Sequence, residues 1–346
     1  MLAHELRIVI GVDTHKRTHT AAVVSSTGAV LEHLTVCADP QGFKHLIAMA
    51  RRLGDPRVWA VEGTGTFGAG LTTALLSAGE RVVEVDRPKR PPRRAGVKND
   101  EIDAVRAARQ ALSEEAWAEP RARGDREAIR VLLVTRSQVV DFRARTIAAI
   151  HALVTTAPDN LRERLRHLPV RSLVETCASM RGSARQSAEE YATTMALRAA
   201  SRRALTLAAE AQDLESQLGA LVAKAAPTLV QRTGVGTVVA AQVLTSWSHK
   251  GRVRSEAAFA KLAGVAPIEA SSGQTVRHRL SRSDDRQLNR ALYTIVLVRM
   301  RLDGRTKAYV SRRTVEGKST KEIMRCLKRY VARQLFRELE AMPTTT

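Results

Sequence analysis

The chain has 346 residues, enough for two or three domains. With 44% apolar but only 3% aromatic residues, its cores must be built from Ala, Leu and Val, so helix dominates. Its 56 Lys and Arg against 35 Asp and Glu leave a net charge of +21, and 45 of those cations are Arg, which grips phosphate and guanine in bidentate fashion; the expected partner is nucleic acid. No run approaches the roughly 20 apolar residues of a membrane span, the start lacks the order of a secretory signal, and three scattered cysteines, Cys37, Cys177 and Cys326, make neither a disulfide framework nor a zinc cluster. The reading is a cytoplasmic protein with buried thiols.

Residues 8–36 read as three short strands, IVIGVD, TAAVVS and AVLEHLTV, separated by turns at THKR and STG, hence an antiparallel meander. Apolar spacing then predicts a helix over 42–53, a strand over 57–62, a helix over 68–79 and a strand over 81–86. Three strands followed by alternating helix and strand give a mixed α/β sheet in the order of the ribonuclease H fold. The segment 87–98, RPKRPPRRAGVK, holds six cations, three prolines and no acid; it reads as a loop facing phosphate, with Arg90, Arg93, Arg94 and Lys98 as contacts. A helix follows over 100–112. Two long helical stretches, 126–154 and 184–226, flank a less regular 158–182 and suggest an antiparallel hairpin or coiled coil that associates with other copies.

The chain therefore divides into an α/β domain over 1–125, a helical region over 126–226 and a mostly helical domain over 227–346. Within 277–337 there are 18 Lys and Arg against 5 Asp and Glu, whereas 1–86 carries 8 cations and 9 anions. The phosphate-binding face belongs to the C-terminal domain.

The N-terminal sheet has another reason to meet nucleic acid. Asp13 closes the first strand, Glu62 closes the fourth, which neighbours it in this order, and Asp100 and Asp103 share one face at the start of a helix. Four converging carboxylates repel unless divalent cations neutralise them, and Mg²⁺, or Mn²⁺ in its place, prefers such oxygen ligands and can clamp both oxygens of a phosphodiester exchange. A competing pattern, GTGTFG over 63–68 with Glu84 about 20 residues on, satisfies a dinucleotide-binding fingerprint, but it follows a meander instead of opening the chain and leaves Asp13 and the basic charge unexplained. His15 and His19 fall at a predicted hairpin turn and are read as surface or phosphate-contact residues.

Farther on, QRTGVGT followed by a helical run resembles a helix-hairpin-helix, with Gly234 and Gly236 presenting backbone N–H groups to phosphate. A Gly/Pro-marked loop then carries Ser271 and Ser272 before Gly273, followed by Arg277, Arg279, Arg282, Arg286 and Arg290. A serine among arginines can attack a phosphodiester. Tyr293, the alternative nucleophile, lies in the apolar run LNRALYTIVLV and is assigned to core packing.

The segments IVIGVDTHKRTHTAAVV, AVEGTGTFGAGL, KNDEIDAVRAARQAL, TGVGTVVAAQVL, FAKLAGVAPIEASSG and HRLSRSDDRQLNRALY together resemble the DEDD transposases of bacterial insertion sequences, the IS110 family, in family order over nearly the whole chain. The resemblance implies a RuvC-like domain, a coiled-coil segment and a C-terminal transposase domain. It implies metal binding by Asp13, Glu62, Asp100 and Asp103, and a nucleophilic Ser272, with Ser271 the open alternative. It further implies a recombinase of donor and target DNA acting in the bacterial cytoplasm at the nucleoid, guided by a bridge RNA, as homodimers assembling to tetramers. Two other functions remain compatible with the residues alone: a RuvC-like nuclease or junction resolvase using water, and a non-catalytic nucleic-acid-binding protein.

Overall fold

The computed structural model describes residues 7–54, 56–85, 99–113, 117, 119–120, 123–269, 278–279 and 285–342. The chain forms two compact units, Met1–Ala122 and Arg123–Thr346.

The first unit runs β1 (Ile8–Thr14), β2 (Thr18–Ser25), β3 (Val30–Cys37), α1 (Pro40–Arg52), β4 (Arg57–Glu62), α2 (Ala69–Ser77), β5 (Val82–Val85) and α3 (Asp100–Ser113). The sheet order is β3-β2-β1-β4-β5. β1 pairs antiparallel with β2 and parallel with β4. This is the mixed sheet expected for a ribonuclease H-like fold, and its antiparallel meander does not suit the all-parallel dinucleotide-binding order. β1 is central, so all of its residues are buried, whereas the edge strand β3 is largely exposed.

Strand alternation sorts the sheet into two faces. Ile8, Ile10, Val12, Trp59 and Val61 pack with Leu46, Met49, Leu71 and Leu75 of α1 and α2. Val9, Val24, Val58, Ala60 and Val83 face Ala107, Ala108 and Ala111 of α3. The small residues of α3 let it lie close. At Gly11 it lies against the strand itself: a Cβ there would stand 2.0 Å from the Ala104 carbonyl oxygen and 2.5 Å from the Ala108 nitrogen.

The second unit begins with α4 (Asp125–Thr155), α5 (Asp159–Leu165), α6 (Val170–Ser179) and α7 (Ala188–Ala225). The region 158–182 is thus more regular than its sequence suggests: Pro158 and Pro169 stand at the N-caps of two short helices. α4 and α7 run antiparallel, bridged by Lys224–Asp125 at 2.6 Å and Arg136–Glu215 at 2.7 Å. One end of this helical hairpin packs with α5 and α6 through Ile150, Val154, Leu161, Leu173 and Leu197. The other end, through Ile129, Leu133, Leu218 and Val222, enters the C-terminal core.

That core gathers α8 (Pro227–Val230), α9 (Thr237–Trp247), α10 (Glu256–Leu262), α11 (Arg286–Leu302), α12 (Gly304–Val315) and α13 (Thr320–Glu340), with a two-residue antiparallel pair, β6 (Ile268–Glu269) and β7 (His278–Arg279), between α10 and α11. Asp285 caps α11 through the Gln287 and Leu288 nitrogens and accepts a 2.6 Å bond from Ser246. Arg299 donates to the Thr233 carbonyl at 2.9 Å and to Gln334 at 2.8 Å, holding α11 to the turn before α9 and to α13. Among the described residues, no helix is long and apolar enough to cross a membrane.

Two packing expectations need correction. Tyr293 is not a core residue: the buried stripe of α11 is Leu288, Ala291, Leu292, Ile295 and Val296, and Tyr293 falls off it, 42% exposed. Of the cysteines only Cys177 is buried; Cys37 ends the edge strand and is exposed, and Cys326 is half-buried.

Candidate active site

The α3 face of the sheet builds the acidic site. Asp13 shares the parity of Val9 and Gly11, and Glu62 that of Val58 and Ala60, so both carboxylates point toward α3. The register pairs Val12 with Val61, which places Asp13 and Glu62 one residue further on, at the C-terminal ends of two adjacent parallel strands. Thr14 donates its hydroxyl to the Glu62 carbonyl at 2.9 Å and fixes these ends together. The glycine-rich turn after β4 is tight: Gly63 has φ +66°, and a Cβ at Gly68 would press on the Glu62 and Gly63 carbonyls at 3.1 Å. Glu84 pairs with Val61 and shares its parity, on the face away from Asp13.

α3 brings the other acids. Because Gly11 lets Ala104 and Ala108 rest on β1, the first turn of α3 lies beside the end of that strand, and Asp100 and Asp103 lie in that turn. Asn99 holds the helix start by accepting from the Glu101 nitrogen at 3.1 Å. Among the described residues, ligand atoms of Asp13, His15 and Asp100 all lie within 4.8 Å of one another. His15 stands between the two acids, its Nε2 3.7 Å from Asp13 and its Nδ1 3.3 Å from Asp100. Glu62 and Asp103 are outside that closest set. Asp103 is held by Arg106 one turn on, at 2.8 Å.

The donor set suits a divalent cation. An octahedral ion about 2.1 Å from each ligand sets neighbouring donors roughly 3 Å apart and opposite ones roughly 4.2 Å apart, and the two separations from His15 fall in that span. Asp13 is buried while Asp100 and His15 are partly open, so the site is anchored on the strand and reachable from solvent.

His15 is the functional candidate that sequence reasoning passed over as a surface residue. Its signal was strand parity: it lies two residues beyond Asp13. His19 requires the opposite correction. β2 begins at Thr18, so His19 takes the parity of Ala21 and Val23, is fully buried, and stacks on Phe43 at 5.6 Å. Burial chiefly, with the nearby His15, holds its imidazole below the ordinary histidine pKa despite a backbone hydrogen bond at Thr18 that acts to raise it. It is a core residue and touches no phosphate.

In the second unit, Arg286 and Arg290 are exposed on α11 and the backbone of Arg279 lies in β7. Gly234 has φ +86°, and a Cβ there would meet the Ile295 carbonyl oxygen at 2.9 Å, so its lack of a side chain serves packing on α11. Gly236 caps α9 with open space around it. Arg90, Arg93, Arg94, Lys98, Ser271, Ser272, Arg277 and Arg282 lie outside the described residues. Glu269 pairs with His278 between β6 and β7.

Comparison with known proteins agrees with this arrangement. Residues 10–157 match the family model DEDD_Tnp_IS110, described as a transposase, and residues 226–311 match that of the transposase IS116/IS110/IS902 family; together they span about two thirds of the chain. The chain is similar to the insertion element IS900 uncharacterized 42 kDa protein of Mycobacterium paratuberculosis, 26% identical over 89% of both proteins. It is also similar to the insertion element IS110 uncharacterized 43.6 kDa protein of Streptomyces coelicolor, 32% identical over 37% of this chain and 32% of that protein.

Proposed function

The chain belongs to the IS110 family of transposases, and from that premise we propose that it is a DNA recombinase in which Asp13, Glu62, Asp100 and Asp103 hold divalent metal and Ser272 is the nucleophile. The observation that carries the reading is the meeting of Asp13, His15 and Asp100, with Glu62 ending the adjacent parallel strand, in the segment that matches the DEDD family.

The residues divide the work. Asp13, buried at a strand end, fixes the site; Asp100 and Asp103 approach on α3; His15 holds Asp13 and Asp100 in register. A divalent ion bound there, Mg²⁺ or Mn²⁺, would offset negative charge on the phosphate oxygens as bonds exchange. In the serine step, an Oγ–P bond forms as the bond from phosphorus to the leaving sugar oxygen breaks, and the serine proton ends on that oxygen. A sugar hydroxyl of another strand reverses the step, restoring the serine and joining the new strands. One phosphodiester replaces another, so no external energy source is needed.

The basic C-terminal domain, 227–346, would hold donor and target DNA through Arg277, Arg279, Arg282, Arg286 and Arg290, with Gly234 and Gly236 at a helix-hairpin-helix. Arg90, Arg93, Arg94 and Lys98 would add contacts from the 1–125 domain. A bridge RNA supplies sequence choice in this reading, as base pairing does in other guided systems. The helical region, 126–226, would mediate dimers and tetramers. Supporting a coiled-coil seam, the buried α7 residues Thr194, Leu197, Ser201, Ala204, Ala211, Leu218 and Val222 fit a three-four spacing, and Val131, Val134, Val140 and Phe142 of α4 are exposed.

Incubation with end-labelled donor DNA and Mg²⁺, followed by denaturation, tests the central step. Label should remain on wild-type protein and on Ser271→Ala, and vanish with Ser272→Ala. Label on the double variant removes serine catalysis. Metal-dependent cleavage by Ser272→Ala without label reassigns the chain to water-using nucleases.

A further inference from the structure

A cavity of about 410 Å³ opens in the second unit between α13 and the turn Gly264–Pro267. Its volume is that of a small-ligand pocket, roughly 300–1,000 Å³. One wall is apolar: Val265, Ala266 and Pro267, in a turn made possible by Gly264 at φ +64°. The other wall is a cationic stripe, because Arg325, Arg329 and Arg333 recur every four residues along α13 and share one side of the helix. Lys328, 9% exposed, closes the inner end, its Nζ 3.0 Å from the Asn289 side-chain oxygen.

The charges are unbalanced. Glu256 engages both Arg329, at 2.5 Å, and Arg333, at 3.1 Å. Among the described residues, neither Arg325 nor Lys328 forms a salt bridge with a carboxylate, and Glu322, one turn before Arg325, attracts it only at longer range. Burial, and then the Arg325 charge, hold the Lys328 ammonium below the ordinary lysine pKa, and an anion in the cavity would oppose both effects. At the mouth, Tyr330 is 53% exposed, braced edge-on by Tyr309 at 5.8 Å, and the Arg312 guanidinium lies over the Tyr309 ring at 5.5 Å. An exposed aromatic face, an apolar wall and unpaired cations together suit a base attached to a phosphate, and the space admits one nucleotide but no base-paired duplex.

We propose that this cavity seats a single unpaired nucleotide turned out of its strand, the base against Tyr330 and the Val265–Pro267 wall and the phosphate on Arg325 and Lys328. The inference rests on nucleic-acid binding by this transposase and is independent of the serine chemistry. The strand can be DNA, as at an opened recombination site, or RNA.

Titrations of the full chain with fluorescein-labelled single-stranded DNA, single-stranded RNA and duplex DNA of one sequence, without metal, test it. Tyr330→Ala should weaken single-strand binding roughly fivefold to a hundredfold, Tyr330→Phe should retain it, and neither should change duplex binding. Arg325→Gln should lower the salt slope for single strands by about 0.7. Loss on DNA alone, or on RNA alone, identifies the strand that supplies the nucleotide. Both side chains are exposed, so unchanged melting by circular dichroism is expected, and Arg325→Gln remains informative should Tyr330→Ala unfold. Unchanged single-strand affinity in both variants, or equal losses on single strand and duplex, overturns the proposal. The serine adduct assay is read separately, so each reading can fail alone.

Discussion

Replacing Gly11 by alanine should damage the acidic site without touching an acid. The added Cβ would lie 2.0 Å from the Ala104 carbonyl oxygen, 2.5 Å from the Ala108 nitrogen and 2.9 Å from the Ala108 Cβ. Unstrained contact between such atoms needs about 3.5 Å. β1 is paired on both sides and cannot withdraw, so α3 must move out by roughly 1 Å or more. Overpacking of this kind costs about 3 kcal/mol, a fall of roughly 12 °C in melting midpoint for a unit of this size. The displaced helix carries Asp100 and Asp103 with it, and a 1 Å misplacement can cost about a hundredfold in rate. Thermal melts report the first effect, and Mn²⁺ titration followed by single-turnover cleavage reports the second. Adding Ala108→Gly should fail to rescue, since the severest obstruction is backbone. Wild-type melting and Mn²⁺ affinity in Gly11→Ala would falsify the account of how α3 positions the acids.

Asp13→Ala and Glu62→Ala should abolish strand exchange while leaving melting nearly unchanged, because each removes a ligand without opening a core cavity; full activity in Mg²⁺ with either variant speaks against the four-carboxylate site. Glu80 tests the opposite end of the sheet. Burial pushes its carboxyl pKa upward, but hydrogen bonds from Arg57 and Trp59 and the Arg57 charge outweigh that and leave it below the ordinary value. Its side chain is 4% exposed and lies 2.6 Å from Arg57, so Glu80→Gln should cost about 3 kcal/mol at neutral pH. A depressed folded pKa gives stability that is present above the unfolded value and lost as pH falls through the folded one, so the difference between wild type and variant should shrink below roughly pH 4 in denaturant titrations. A constant difference down to pH 2 would contradict it. Replacing Arg277, Arg279 and Arg282 together by alanine should flatten the salt dependence of DNA binding by roughly 0.9 per lost phosphate contact, and an unaltered slope would assign these arginines to other work.

Much of the first unit was legible because its signals are local. Hairpin turns, period-two strands and helical spacing sit within a few residues of each other, and the strand order follows from them. Parity was the signal not carried far enough: Asp13 and Asp100 were read as site residues, yet His15, two residues from Asp13, was placed with His19 in a hairpin turn and read as a surface or phosphate-contact residue. The same parity, counted from β2's true start at Thr18, sends His19 into the core. Tyr293 shows the complementary limit, since in a mainly apolar run such as LNRALYTIVLV the buried side of the helix is hidden until its neighbours are placed. The α13 cavity was visible only as charge. Its apolar wall comes from residues about 60 positions earlier in the chain, a juxtaposition that no local pattern encodes.

The distribution of charge separates the metal site from the cations that hold phosphate. Asp13 and Glu62 end two strands of a segment, 1–86, that carries 8 cations and 9 anions and so offers a phosphate backbone little attraction. Residues 277–337, with 18 cations against 5 acids, supply most of the attraction, and 87–98, with six cations and no acid, adds to it. Exposed cations are screened within a Debye length of about 10 Å at 0.1 M salt, and binding that releases counterions weakens steeply as salt rises. Asp13 is buried in the sheet and is screened far less. Raising monovalent salt at fixed Mg²⁺ should therefore raise the DNA concentration needed for half-maximal cleavage with a steep logarithmic slope, while the single-turnover rate at saturating DNA changes little. Parallel losses in both quantities would show that the salt-sensitive cations act in the chemical step beyond holding DNA, and the division between a metal-binding unit and a phosphate-holding unit would fall.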